Sequence, residues 1–440
     1  MRIEKIDTGE DSQAAVDLAT FQRLKTEVHR KLLEVLDLNE ARRMPFEQLH
    51  RECSGRLDLL LTEQRFPLSA TEKQRLVREL LDEIFGLGPI EDLLEDGTIS
   101  DILVNGPNKV YVERYGKIEP TTVTFRNNDH LLQVIQRIAA SVGRRIDESA
   151  PMLDARLLDG SRVNAIIPPL ALKGPALSIR RFGKVPIGEE QLLQWGSIAG
   201  DMLTFLQACV RCQMNILISG GTGTGKTTLL NVLSRWIPPD ERVITIEDAA
   251  ELQLQREHVV QLETRPSNIE GKGEVTQRDL LRNSLRMRPD RIIIGEVRGP
   301  EALDMLQAMN TGHEGSMTTV HANQTRDALR RIENMVSMAG LNYPVRVIRE
   351  QMASALNVVI HLDRVTGGRR KVVSIAEITG TEGDAVCMQT IYQFKQIGVD
   401  EGGHAVGRFE ACGVRPQLLG KLEEEGVALP SDMFQRHVLT

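Results

Sequence analysis

The sequence predicts an α/β protein: a domain with a mostly parallel sheet covered by helices, preceded by a smaller α/β domain and an all-helical module. Three observations carry this. An apolar run, a glycine-rich turn and an apolar helical run follow one another from Met214 to Leu230, MNILISGGTGTGKTTLL. Downstream of it, short apolar runs alternate with helical patterns, as crossover connections in a parallel sheet require. Upstream of Gly88-Pro89, apolar residues recur at helical spacing with no strand pattern.

Residues 1–88 read as the helical module. Phe21, Leu24, Val28, Leu32 and Val35 predict a helix from Phe21 to Asp37, and a second apolar cluster runs from Phe46 to Leu61. Ser69 with Glu72 three residues on is a capping box and starts a third helix that reaches Gly86. Residues 89–182 read as the small α/β domain. Strands are expected at Ser100–Val104, Val110–Arg114 and Thr121–Phe125, with Gly116 in the turn between the last two, and a helix at Asn128–Val142. Ala155–Leu158, the Asp159-Gly160 turn, Arg162–Ile167 and Ala176–Phe182 complete it.

Residues 183–201 read as a linker and 202–440 as the large domain with a C-terminal extension. Strands are expected at Asn215–Ser219, Arg242–Ile246, Val259–Glu263, Arg291–Gly295 and Met317–His321. Thr276 with Asp279 starts one helix, Pro300 another, and Gly340 stops a third. Short strands around a Thr366-Gly367-Gly368 turn and a helical tail from Arg415 to Glu425 close the chain.

Composition narrows the function. With a net charge of −7 and 4% aromatic residues, the chain has neither the positive field nor the stacking platforms of a nucleic-acid binder. No apolar run approaches the roughly 18 residues of a membrane span, and the charged start MRIEKIDTGED carries no signal-peptide core. Five cysteines, an odd number, suggest reduced thiols in a cytosol. Cys209 and Cys212 form a C-x-x-C inside a helical pattern and read as a buried helix face.

Four motifs carry chemistry. Gly220, Gly221, Thr222, Gly223, Thr224, Gly225, Lys226, Thr227 and Thr228 fit a phosphate-binding loop, G-x-x-x-x-G-K-[ST]. Backbone N–H groups converge on an anion, the helix N-terminus adds its dipole, Lys226 reaches the β- and γ-phosphates, and the Thr227 hydroxyl faces Mg²⁺. ATP and Mg²⁺ are the cofactors this loop calls for. RIIIGEVRG ends an apolar strand in Glu296, the position of an acid facing the metal ion. TIEDAAEL ends another in Glu247 and Asp248, and ligands lie at the carboxyl ends of strands in such sheets. His313 and His321 flank TGHEGSMTTVHAN and suit γ-phosphate sensing or a water network better than zinc, since no cysteine or tight histidine pair accompanies them. In the small domain Arg156, Arg162, Arg180 and Arg181 lie in or beside strands; each alone reads as solvated alternation, and the four together also suit a phosphate-facing surface.

In composition and order, these motifs resemble those of the type II/type IV secretion ATPase superfamily, where they are called Walker A, Asp box, Walker B and His box. The stretch LLDEIFGLGPIEDLLEDGTISDILVNGP and the tail FEACGVRPQLLGKLEEEGVALP are similar to the CpaF/TadA branch, which powers tight-adherence (Tad/Flp) pili. The first twenty residues match nothing in that family. The resemblance implies a homohexamer of two-lobed subunits, with ATP between an α/β N-terminal domain and a RecA-like C-terminal domain. Rigid-body movement of the lobes would push an inner-membrane platform protein, which places the chain in the cytoplasm, peripheral to the membrane through its partners. It further implies that Glu247 polarises water, that Glu296 orients Mg²⁺ or that water, with the division between the two open, and that the four small-domain arginines are candidates for contacts to the γ-phosphate. A type II or type IV secretion motor moving protein or DNA–protein substrates is the alternative.

Overall fold

The structure is a computed structural model that describes residues 24–25, 27–28, 31–32, 44–63, 68–84, 86–114, 116–157, 159–181, 187–265, 267, 272–340 and 343–439. The chain divides into two compact units, Met1–Gly183 and Lys184–Thr440.

The first unit opens with helices. Of the helix expected from Phe21 to Asp37, the described residues are helical and Val28 and Leu32 are buried; the expectation for the first twenty residues lies outside the described residues. Helices α1 (Phe46–Glu63) and α2 (Ala70–Ile84) bury Leu57, Leu61, Leu76 and Leu80 with them in one cluster. The capping box forms: Glu72 N–H donates to Ser69 Oγ at 3.2 Å, and Ser69 N–H to Glu72 Oε2 at 2.8 Å.

A six-stranded sheet follows, in the order β3-β2-β1-β6-β5-β4. Its strands are β1 (Ile99–Asn105), β2 (Val110–Arg114), β3 (Lys117–Pro120), β4 (Met152–Arg156), β5 (Arg162–Ile166) and β6 (Ala176–Arg180). Helix α4 (Asn128–Ser141), capped by Asn127, covers one face after the short α3 (Glu91–Glu95). The expected strand at Thr121–Phe125 is displaced: β3 ends at Pro120. All four β3 residues are exposed, so no apolar alternation marks them, whereas Val123 and Phe125 anchor a coil to the core and mimic a strand.

A charged knot ties α2 to α4. Glu83 is buried, with Oε1 2.9 Å from His130 Nε2 and 3.0 Å from Arg126, and Oε2 3.3 Å from Lys25. Burial alone would raise its pKa. The His130 hydrogen bond and the Lys25 and Arg126 charges outweigh burial and hold it at about 2. A carboxyl depressed in the folded state gives stability that is present above its unfolded pKa and lost as pH falls through the folded one. Glu83→Gln is therefore expected to lower the stability of this unit at pH 7 by about 3 kcal/mol. It should also flatten the pH dependence of unfolding below pH 5. Chemical denaturation across pH 2–7 checks both, and an unchanged pH profile would refute the assignment.

The second unit has a ten-stranded sheet in the order β16-β15-β14-β13-β12-β7-β11-β10-β8-β9. Strands β7 (Ile216–Gly220), β8 (Val243–Glu247), β9 (Val259–Glu263), β10 (Arg291–Ile294), β11 (Met317–His321) and β12 (Val358–Arg364) pair in parallel. The remainder, β13 (Arg370–Glu382), β14 (Ala385–Val399), β15 (Ala405–Ala411) and β16 (Val438–Leu439), is antiparallel. Two of the C-terminal strands, β13 and β14, are thus long, not short, and the tail helix shrinks to Leu419–Glu424. Every residue of β7 is buried, with Ile216 and Ile218 in one core and Leu217 in the other, as a strand covered on both faces requires. Of the stretch expected as a linker, Leu192, Ile198 and Ala199 are buried in this unit's core. Cys209 and Cys212 lie at the end of the helix Gly200–Arg211, buried in the same core, and burial raises both thiols.

Candidate nucleotide site

The phosphate loop joins β7 to the helix Lys226–Ser234. Its first glycine allows close approach: a Cβ on Gly220 would lie 2.5 Å from the Leu362 carbonyl oxygen. Gly225 caps the helix with a φ of +100°, a backbone that only glycine adopts readily. Thr224 Oγ1 donates to the Gly221 carbonyl at 3.0 Å. Lys226 Nζ donates to the carbonyls of Gly220 (3.1 Å) and Gly221 (2.9 Å), so its ammonium sits inside the loop. Burial lowers its pKa and the nearby Glu296 carboxylate opposes that shift. A half-buried cation beside a glycine backbone at a helix N-terminus is the donor set a polyphosphate needs, and the residues present fit ATP. Thr227, half-buried in the first helical turn, and Glu296 would hold its Mg²⁺.

Strand register brings the acids to the same edge. Glu247 ends β8, and Gly295 N–H donates to the Ile246 carbonyl at 2.9 Å. A Cβ on Gly295 would lie 2.9 Å from Glu247 Cγ, so the glycine leaves room for this carboxyl. Glu247 is buried, and its Oε2 accepts from the N–H groups of Glu251 (2.7 Å) and Leu252 (3.0 Å). Glu296 follows β10 and is partly exposed. Its Oε2 accepts from Arg298 Nε at 2.9 Å and Nη2 at 2.5 Å, while Arg298 Nη1 lies 3.4 Å from Asp248. Burial would lower the Arg298 pKa, but Glu296 and Asp248 outweigh it and raise it.

Of the two histidines, the structure brings one to this edge. His321 pairs with Gly220 in the parallel register of β11 on β7. His313 lies before β11 begins, at the opposite edge, a strand length of roughly 16 Å away. Its turn packs on the buried Arg291, whose Nη1 would be 2.7 Å from a Cβ on Gly315. Within this unit the expectation for His313 is therefore corrected: eight residues in sequence look close, but five of them span the sheet. Arg288 precedes β10 and lies at that far edge too.

The small-domain arginines separate likewise. Arg156 pairs with Arg162 and Arg162 with Arg180 across neighbouring strands, so three guanidinium side chains form one row. Val163 and Ile179 beside them are buried, which puts the row on the outer face. Asp101 lies 3.2 Å from Arg180 and Asp154 3.8 Å from Arg162. Arg181 does not join the row. Its Nη1 donates to the carbonyls of Asp96 and Ile99 and ties down the start of β1.

Sequence reasoning missed three residues here. His361 pairs with Ser219, and its Nδ1 lies 2.9 Å from Ser219 Oγ. Arg364 and Arg370 both reach the Gly223 carbonyl. The available signal was VVIHLDR, an apolar run whose carboxyl end carries chemistry-bearing residues.

In the sheet, β11 lies between the phosphate-loop strand and the acidic strand β10, and the acids meet the loop at the carboxyl ends. This fold and site define a RecA-like P-loop domain. The chain belongs to the type II/IV secretion system protein family, whose model matches residues 83–400. It is 38% identical over 322 residues to a Mycobacterium tuberculosis protein named as a candidate conjugal transfer protein, covering 72% of this chain and 91% of that one. It is 32% identical over 315 residues to the conjugal transfer protein TrbB of Rhizobium radiobacter, covering 70% and 91%. Among solved structures, the VirB11 ATPase of the Brucella suis type IV secretion system, in complex with sulphate, is 30% identical, with 67% of this chain and 97% of that chain covered and a TM-score of 0.37. Among the described residues no helix is long and apolar enough to cross a membrane.

Proposed function

We propose that this chain is a Mg²⁺-dependent ATPase that works as a homohexameric motor, powering assembly of a Tad/type IV-like pilus through an inner-membrane platform. The observation that carries the ATPase part is the convergence of Lys226, Glu247, Glu296 and His321 at one sheet edge around a phosphate loop. In this reading Lys226 and Thr227 hold the phosphates and the metal ion. The metal ion supplies charge neutralisation at the phosphates. Glu247 accepts a proton from the attacking water, and Glu296 orients the metal ion or that water. The pilus assignment rests on the two stretches, 80–107 and 409–430, that resemble the CpaF/TadA branch. A second reading, a type IV secretion motor that moves DNA–protein or protein substrates, is favoured by relatives named for conjugal transfer. Deletion and complementation in the native host separates the two: loss of surface pili supports the first, and loss of DNA transfer with pili intact supports the second. Sedimentation with ATP and Mg²⁺ should give a hexamer, and a strictly monomeric active enzyme would rule the ring out.

The arginine row enters as catalytic charge in this reading. Like charges directly opposite one another weaken a sheet; Asp101 and Asp154 face two of the three arginines, and a phosphate would add a further anion at the row. Arg156→Ala or Arg162→Ala is expected to cut turnover by more than about tenfold with little change in ATP affinity, because the charge they meet grows in the transition state. Arg181→Ala should act through stability instead. Single-turnover hydrolysis and nucleotide titration distinguish these outcomes, and normal turnover in both row variants removes the role.

A further inference from the structure

We propose that Arg364 and Arg370 are nucleotide-binding residues of this site, a guanidinium pair that positions the phosphate loop and recognises the polyphosphate of ATP or ADP. The inference rests on the reading that the loop binds these nucleotides. Its ground is a convergence. The two arginines are directly opposite one another across the antiparallel pair β12–β13. Arg364 Nε donates to the Gly223 carbonyl at 3.0 Å, and Arg370 Nε donates to the same oxygen at 2.9 Å. Two like charges are thus held together on the backbone of the loop that must receive a multiply charged anion. Opposed like charges cost stability in a sheet. A di- or triphosphate at the loop would add an anionic counterpart beside them.

The hairpin is built to hold this position. Leu362 pairs with Gly220, so β12 runs beside the strand that leads into the loop. The turn between the arginines is closed by Val365 N–H to the Arg369 carbonyl and Gly368 N–H to the Val365 carbonyl, both at 2.9 Å. A Cβ on Gly223 would lie 2.6 Å from Arg364 Nη2, so this guanidinium packs directly against the loop. The acid next in sequence, Asp363, accepts from the Arg364 backbone N–H at 2.8 Å. Guanidinium forks match phosphate oxygens in pairs, which an ammonium does not. The hairpin therefore adds a fork-shaped contact on the edge of the loop to the point charge of Lys226.

The test uses the full chain and three probes, ADP, ATP and AMP, titrated by calorimetry. Arg364→Ala and Arg370→Ala should each weaken ADP and ATP about tenfold, the scale of one charge-assisted hydrogen bond, and the double variant more. AMP binding should change less, since it offers fewer phosphate oxygens. Arg364→Lys with Arg370→Lys should recover part of the affinity. The melting temperature without nucleotide should hold, while its rise on adding ATP shrinks. In turnover, KM should climb more than kcat falls. If the double alanine variant binds ADP within twofold of the wild type, the pair has no such role although the ATPase reading stands. Equal losses for AMP and ADP, or a collapse of unliganded stability, likewise overturn it. If the wild type binds neither ADP nor ATP, the ATPase reading falls first.

Discussion

Lys226→Ala should leave a folded protein with no measurable ATP hydrolysis and ADP affinity reduced at least about a hundredfold, the scale of losing a positioned, partly buried charge. The lysine ammonium lies within 3.1 Å of two loop carbonyls, enclosed by the backbone that must also contact the phosphates. Alanine leaves those carbonyls turned toward an incoming anion with nothing to offset them. The loss therefore combines a missing attraction and an uncovered repulsion. The rest of the loop is held by other means: Gly225 by its backbone conformation, Thr224 by the Gly221 carbonyl, and the helix by Leu229, Leu230 and Leu233 in the core. Stability should change little for that reason. Calorimetric titration, phosphate release and a thermal melt on one preparation check all three parts. Turnover within tenfold of the wild type would mean that this loop is not the site of hydrolysis.

Glu296→Gln is expected to keep ATP bound and slow its turnover at least about a hundredfold, as when a positioned catalytic group is lost. The carboxylate is partly exposed, and its partner Arg298 also lies 3.4 Å from Asp248, so the amide can be accommodated without an orphaned buried charge. Glu247→Gln is a different experiment. That carboxylate is buried and accepts two backbone hydrogen bonds that shape the turn after β8. The amide should reduce both turnover and stability. Measuring the two variants side by side, with melting temperature and single-turnover rate, separates a residue that acts on water from one that also builds the site. Near wild-type hydrolysis in Glu296→Gln would remove this acid from the mechanism.

The parts of this site that were legible in the sequence are those in which local chain geometry and chemistry coincide. The phosphate loop is contiguous, so its glycines, Lys226 and Thr227 declare themselves. Glu247 and Glu296 were found because each ends an apolar strand, and a strand end fixes which edge of the sheet an acid reaches. The capping boxes at Ser69 and Thr276 were legible for the same reason: both partners lie within one turn. What stayed hidden depends on pairing. His313 and His321 look equivalent in sequence until register puts them at opposite edges. Arg156, Arg162 and Arg180 become a row, and Arg181 leaves it, only when three strands are aligned. Arg364 and Arg370 lie about 140 residues beyond Gly223 and meet it through a strand pairing that no periodicity specifies. The displaced β3 failed for a simpler reason, since an exposed edge strand has no apolar face to read.

The order of strands has a consequence for how the protein is made. Strand β7 leaves the ribosome first among the central strands, yet its two neighbours are β11 and β12, whose residues follow it by about 100 and about 140 positions. Early in synthesis the phosphate loop has no partner on either side, and closing such long segments is the slow part of forming a sheet. The loop acquires its shape when β12 docks, because Leu362 and the hairpin behind it complete the wall against which Gly220 and Gly223 rest. Nucleotide capture during translation would thus report that the growing chain has passed Arg370. A nascent chain halted before β12 would contain the whole glycine-lysine motif and no place for a phosphate.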